Sequence, residues 1–242
     1  IYSSEDLAFY DKGKQFPNII VTNINTSIGA VLFPKMSQLQ DDKQEVKALT
    51  KQSIRFGSYC MCPIMLGLAA VSHPVVSILL TDKWLPCVPL MQILCINGMC
   101  LPFHTANMQA TKAMGRSDIT FKTEIIKKSI ELVVLISVMR ISVTAIVIGM
   151  AACSVSFIFI NSYPNIKLID YSLKEQLSDL LPNLVMSLLM AALVLLVGKA
   201  NINIYLLLLI QILTGAVFYI VLSAIMHKPE FEYIYRLVFR KK

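Results

Sequence analysis

Asn18, Thr22, Asn25 and Gly29 follow one another at spacings of four, three and four residues. An α-helix turns once in about 3.6 residues, so these four share one helical face. Ile20, Ile24, Val31 and Leu32 fall elsewhere around the same helix. Lipid offers no hydrogen bonds, so a polar stripe on a membrane helix must face a neighbouring helix or a water-filled cavity. The stretch Asp11-Lys12-Gly13-Lys14-Gln15 just ahead adds two cations at the same mouth. Lys12 and Lys14 can attract a phosphate as point charges. Equally, such side chains can simply reach from a membrane interface to water. Together the stripe and the two cations favour a cavity.

A second set lies in residues 84–111: Asn97, His104, Asn107 and Gln109, among Pro86, Pro89 and Pro102. Asn97 and His104 are seven apart and share a face. Prolines free backbone carbonyls, as happens where a transporter helix bends. His104 suits proton coupling by its neutral-range titration, and a buried, hydrogen-bonded imidazole is the other reading. Catalytic patterns are weak. No Ser-His-Asp or His-Cys set stands out, the uncharged runs hold no paired acids, and Pro229 interrupts the spacing from His227 to Glu232. No Gly-rich phosphate loop occurs, so neither a nucleotide site nor any other cofactor is expected. Cys60, Cys62, Cys87, Cys95, Cys100 and Cys153 lack the spacing and partners of a metal site, and read as small apolar packing residues.

These residues must be positioned by membrane helices. Five runs contain no Asp, Glu, Lys or Arg: 56–81, 84–111, 141–166, 180–198 and 200–227. A helix needs roughly 20 apolar residues to cross a bilayer core. Hydrophobic residues make up 56% of the chain and charged ones 15%, below the roughly 25% charged of soluble domains. Residues 16–34 and 125–139 read as two further spans, for about seven in all. The loops then alternate sides. Basic residues number five in 35–55, five in 112–128, two in 164–179 and five after residue 224, against five in all on the opposite side. The positive-inside rule places the basic side, and with it the C-terminus, in the cytoplasm. The net charge of +7 thus reports orientation and not nucleic-acid binding.

The outer connections at Asp82-Lys83, Arg140 and Lys199 predict tight helical hairpins. Residues 41–55 predict a charged helix with Val46, Leu49 and Ile54 on its apolar side. The aromatic and basic tail 231–242 suits an anionic inner leaflet. Trp84 reads as an interfacial anchor, and Glu131 as a local partner of Lys127 and Lys128. Gly115 is expected to end one helix, and Ser117 or Asp118 to cap the next. The chain starts Ile-Tyr-Ser-Ser, with no Met and no signal-peptide pattern, and reads as a piece of a longer protein.

Residues 2–17 (Tyr-Ser-Ser-Glu-Asp-Leu-Ala-Phe-Tyr-Asp-Lys-Gly-Lys-Gln-Phe-Pro) and 31–34 (Val-Leu-Phe-Pro) resemble the polysaccharide-unit flippases. These are lipopolysaccharide or capsule biosynthesis proteins of the multidrug/oligosaccharidyl-lipid/polysaccharide superfamily. Residues 80–89 (Leu-Thr-Asp-Lys-Trp-Leu-Pro-Cys-Val-Pro), 104–110 (His-Thr-Ala-Asn-Met-Gln-Ala) and 115–118 (Gly-Arg-Ser-Asp) are similar to the same family. The resemblance runs to about Asn165. It implies an all-α polytopic membrane bundle forming the second lobe of a two-lobed transporter. On that basis residues 1–166 are the lobe without its first helix, 167–226 two additional helices, and 227–242 a cytoplasmic tail.

The resemblance further implies a multi-pass protein of the bacterial inner membrane, not an enzyme. It would flip undecaprenyl-pyrophosphate-linked oligosaccharide by alternating access. Its expected partners are that lipid-linked oligosaccharide, membrane lipids, and polymerase and chain-length proteins of the same pathway. Lys12, Lys14, Asn18, Thr22 and Asn25, with Asn97, His104 and Asn107, are the expected substrate-binding positions. Arg116 in the 115–118 turn could act in gating. The rivals are a drug/cation antiporter, which needs cavity acids that the runs lack, and a polymerase or ligase, which needs a long outer loop. A structural scaffold would not need the polar stripe.

Overall fold

A computed structural model describes residues 2–226 and 228–232, apart from the side chains of 25 and 27–31. The described residues form eight α-helices and no strand: α1 (Ser4–Gln38), α2 (Lys43–Ala70), α3 (Ser72–Leu80), α4 (Val88–Ala113), α5 (Ser117–Val138), α6 (Val143–Leu168), α7 (Leu173–Val197) and α8 (Ile204–Ile225). A 3-10 turn over Asp82–Cys87 joins α3 to α4. The protein is an all-α polytopic membrane bundle. All five uncharged runs lie on helices, and five helical stretches are long and apolar enough to cross a membrane. The helices α1 and α5 bring the long antiparallel elements to seven. His227 and the tail beyond residue 232 lie outside the described residues.

Several boundaries differ from the sequence expectation, for physical reasons. The span expected at 16–34 is the middle of a 35-residue helix. At about 1.5 Å per residue that helix is some 50 Å long, well beyond a hydrocarbon core of about 30 Å. Its start is fixed by a capping box, in which Ser3 and Asp6 satisfy each other's backbone N–H groups. The charged helix expected at 41–55 is continuous with the following span, because Asp42 caps the whole of α2 and nothing interrupts it before Ala70. Its Val46 and Ile54 are buried against α4 and α6 residues rather than lying on a leaflet. The run 56–81 breaks at Val71. Pro74 cannot donate to the Ala70 carbonyl, and the Ala69 carbonyl is taken by Ser72 and Gln92 side chains.

Gly115 ends α4 as expected, with φ +71°. Arg116 N–H reaches the Thr111 carbonyl at 3.2 Å and Gly115 N–H the Lys112 carbonyl at 3.0 Å, the bonding of a left-handed helix stop. The expected cap at Ser117 or Asp118 is not made. Arg116 holds the N-cap position and grips Asp118 with two bonds of 2.9 and 3.0 Å. Lys128 pairs with Glu131 at 2.6 Å, whereas Lys127 pairs with Glu124.

At the centre stands α4, which packs on α1, α2, α5 and α6. Gly13 lets α1 approach it closely: a Cβ there would lie 3.2 Å from the Cys87 carbonyl oxygen and 3.3 Å from Leu90 Cβ and Met91 N. α7 runs along α2 and carries α8 on its far side. α5 leans on α6 and has no buried residue.

Two outcomes follow. Gly13→Leu must push α1 off a backbone neighbour that cannot rotate away, so its cost is at least the roughly 1–3 kcal/mol of overpacking, read as a lower melting temperature in detergent. The Arg116 pair holds the Asp118 carboxyl down at about 2. Any stability it lends is complete above the ordinary carboxylate value and is lost as pH falls through about 2. Carboxyl NMR of Arg116→Gln should show the Asp118 titration moving up towards 3.8; an unmoved titration would show that Arg116 does not set it.

Candidate functional site

The expected site residues fall into two separate places. Lys14, Asn18 and Thr22 continue one face of α1, and Asn18 and Thr22 are exposed. The Asn25 side chain lies outside the described residues. Gly13 and Val21 meet α4. Val21 is seven residues from Lys14, so Lys14 lies at the edge of the packed side, while Asn18 and Thr22 turn outward from it. Thr26 hydroxyl donates back to the Thr22 carbonyl and Asn23 to the Ile19 carbonyl at 2.8 Å, so local bonds satisfy part of the polar surface.

The two lysines do not share a direction. Two helical residues are about 200° apart, which turns Lys12 off the stripe. Its ammonium sits 5.5 Å from the Trp84 ring centre, and Phe9 meets that ring edge-on at 5.9 Å. Trp84 thus anchors the start of α1 to the α3–α4 connection. Lys14 stays with the stripe, 2.9 Å from Asp11 and 4.9 Å from the Tyr10 ring. Its ammonium is held above the ordinary lysine value by the Asp11 hydrogen bond. It remains cationic and half-exposed, available to a phosphate at the exposed face.

The α4 residues look inward to α6. His104 Nδ1 takes a hydrogen bond from Asn161 at 2.8 Å, and its Nε2 lies 3.1 Å from the Ser154 carbonyl. A carbonyl can only accept, so Nε2 carries the proton and Nδ1 accepts from the amide. Both ring nitrogens are engaged, which matches the buried, hydrogen-bonded reading of this histidine. Three residues on, the fully buried Asn107 takes Asn165 Nδ2 on its side-chain oxygen at 2.7 Å and on its backbone carbonyl at 2.9 Å. Thr111 donates to Asn165 Oδ1 at 3.3 Å. Asn97 has a buried Oδ1 with no partner among the described residues.

Sequence reading missed the partners of these groups, Asn161 and Asn165. They lie four apart on α6 and so share a face, a signal as strong as the one on α1. It also missed the ladder joining α2 to the last helices. Lys47 meets Glu175 at 3.2 Å, Lys51 meets Asp179 at 3.6 Å, and Arg55 meets Glu230 at 2.7 Å. Asn183 continues the ladder, donating to the Arg55 carbonyl and to Ser58 Oγ. The six cysteines are unpaired, five of them buried. Among the described residues no group of His, Cys, Asp and Glu could hold a metal ion.

Residues 1–89 match the model of a family described as "Polysaccharide biosynthesis protein". The match shows a likeness to that family over the first 89 residues. The chain is 29% identical over 104 residues to the lipopolysaccharide biosynthesis protein WzxC of Escherichia coli (strain K12), a match covering 43% of this chain and 21% of that protein. It is 36% identical over 77 residues to an uncharacterized membrane protein in the cps region of Klebsiella pneumoniae, covering 32% of this chain and 16% of that one. In fold it is similar to a solved structure of the lipid II flippase MurJ in an inward closed conformation. The TM-score is 0.75 at 17% identity, over 94% of this chain and 48% of the flippase. The chain therefore spans about half the length of a whole protein of this fold.

Replacing Asn165 with Leu should strip Asn107 and Thr111 of their shared partner. Interhelical hydrogen bonds in membranes are worth about 1 kcal/mol, so a drop of roughly that size in stability against denaturant is expected. An unchanged stability would show that the α4–α6 bridge holds nothing.

Proposed function

We propose that this chain is half of a two-lobed membrane flippase that moves lipid-linked oligosaccharide units from the cytoplasmic to the outer leaflet. The single observation that carries this reading is the exposed α1 surface of Asn18 and Thr22, with the half-exposed cation Lys14 at its edge. A polar, cationic face turned to lipid is costly. Set against an opposing lobe, it becomes one wall of a hydrated cavity. The likeness to about half of a flippase supports that arrangement, as do relatives named for polysaccharide biosynthesis.

In this mechanism the exposed wall does the recognising. Lys14 draws the pyrophosphate as a mobile point charge. Asn18, Thr22 and Asn25 exchange hydrogen bonds with sugar hydroxyls at little net cost, because water takes their place when the cavity is empty. Lys12 holds the mouth of α1 on Trp84. His104 and Asn107 act behind the wall, fixing α4 as the strut against which α1 rests, and Asn97 offers from the same helix an oxygen unpartnered among the described residues. Residues 1–166 form the lobe, 167–226 the two added helices, and 227–242 the tail. The protein spans the bacterial inner membrane with its C-terminus in the cytoplasm, beside the polymerase and chain-length proteins of its pathway.

Deletion of the full-length gene should leave lipid-linked repeat units on the cytoplasmic leaflet. Normal export without accumulation would end the flippase reading. In the full-length protein, Lys14→Ala with Asn18→Leu and Thr22→Leu should cut export at least tenfold while the protein still reaches the membrane. Wild-type export from that variant would remove α1 from the transport path.

A further inference from the structure

The ladder along α2 ends in an unbalanced group. Glu230 is 2% exposed. Its Oε1 accepts from Arg55 Nε at 2.7 Å, but its Oε2 is buried with no partner among the described residues. A buried carboxylate oxygen left bare is costly, because water no longer solvates it. Lys228, close by, does not fill the gap. Burial holds its ammonium below the ordinary lysine value although Glu230 pulls it up, and it makes no ion pair with Glu230 among the described residues. Beside Glu230 opens a pocket of about 380 Å³, lined by Ala48, Lys51, Gln52, Arg55, Phe56 and Pro229. Such a volume is within the range of small-ligand sites.

Level and charge narrow the occupant. The pocket lies where the charged stretch of α2 meets the uncharged run beginning at Phe56, a boundary at which lipid headgroups are expected. Lys51 and Arg55 face it with two cations. Glu230 and Asp179, the partner of Lys51, bring two anions. The site is nearly neutral overall, with cationic donors and an anionic acceptor. An anionic headgroup would leave Oε2 bare and add repulsion. A headgroup carrying both phosphate and ammonium suits both halves.

We propose that this pocket binds the aminoethyl phosphate headgroup of a membrane phospholipid, with phosphate on Lys51 and Arg55 and ammonium on Glu230 Oε2. Arg55 meets Glu230 through its Nε, an arrangement that, among the described residues, leaves its terminal nitrogens to grip phosphate. The primary ammonium supplies the N–H donor that Oε2 lacks. A bound lipid of this kind fastens residues 228–232 to α2, and so joins the end of the chain to the lobe.

The test uses the full-length protein in nanodiscs of defined lipids, with retained lipid read by native mass spectrometry. Phosphatidylethanolamine should be retained about tenfold over phosphatidylcholine, whose methylated ammonium offers no N–H. That ratio is what losing one charge-assisted hydrogen bond produces. Glu230→Gln should abolish the preference, and the comparison of lipids on the unaltered protein stands even if that variant folds poorly. Equal retention of the two lipids, or preferred retention of phosphatidylglycerol, would overturn the proposal. So would displacement by free phosphoethanolamine at the lipid's own concentration, which would assign the pocket to a soluble ligand.

Discussion

Inside a bilayer every polar group must find its partner within the protein, and this constraint organises the whole bundle. Hydrophobic burial, which drives soluble folds, does little to hold one membrane helix against another, because lipid is as apolar as leucine. The bundle accordingly joins its helices through bonds. His104 and Asn107 tie α4 to α6. Ser162 ties α6 to Gln176 of α7 at 3.0 Å. Asn183 ties α7 to Ser58 of α2, and the Tyr219 hydroxyl ties α8 to the Tyr59 carbonyl of α2 at 2.9 Å. Gln211 ties α8 to the Val194 carbonyl of α7 at 3.1 Å. Between these points, close approach and dispersion do the rest, as where Gly13 seats α1 on α4.

This constraint also explains which helix is left with a polar surface. α4, α6 and α7 engage most of their buried Asn, Ser and Gln side chains with neighbouring helices or with their own preceding turns. α1 instead spends its close-packing positions on α4 and leaves its polar stripe unmatched. A flippase lobe needs one wall that can trade partners with a passing headgroup, and a saturated network cannot do so. The contrast between bonded struts and an exposed wall is what supports the proposal that α1 lines a transport path. The ladder of Lys47, Lys51 and Arg55 serves a different end, clamping the last two helices at the charged edge of the bundle.

Much of the architecture was legible in the residues. The charge-free runs, the hairpin turns at Arg140 and Lys199, and the stop at Gly115 all depend on local composition, which a sequence displays directly. The family likeness was legible in residues 2–17 and 80–89. Other features were hidden by the same locality. In the run 56–81, Pro74 marks a weak point, but Pro63 in the same run leaves α2 unbroken, and at Val71 Gln92 of another helix takes up the Ala69 carbonyl. Ser117 and Asp118 look like caps until Arg116 captures the carboxylate. Lys12 and Lys14 are close in sequence but helical rotation turns them apart, and only the packing shows that Lys12 rests on Trp84.

By itself, the sequence determined that the chain is a bundle of membrane helices, which helices are long enough to span, and that one of them carries a polar face. These follow from transfer free energies and helical periodicity, which each segment possesses alone. Only the tertiary structure decided where polar groups end up. It placed His104 and Asn107 among α6 partners, kept Asn18 and Thr22 exposed with Lys14 at their edge, and left one oxygen of Glu230 bare among the described residues, beside two cations. Whether a polar side chain is spent or available depends on what another helix offers it, and that pairing exists only once the helices have met.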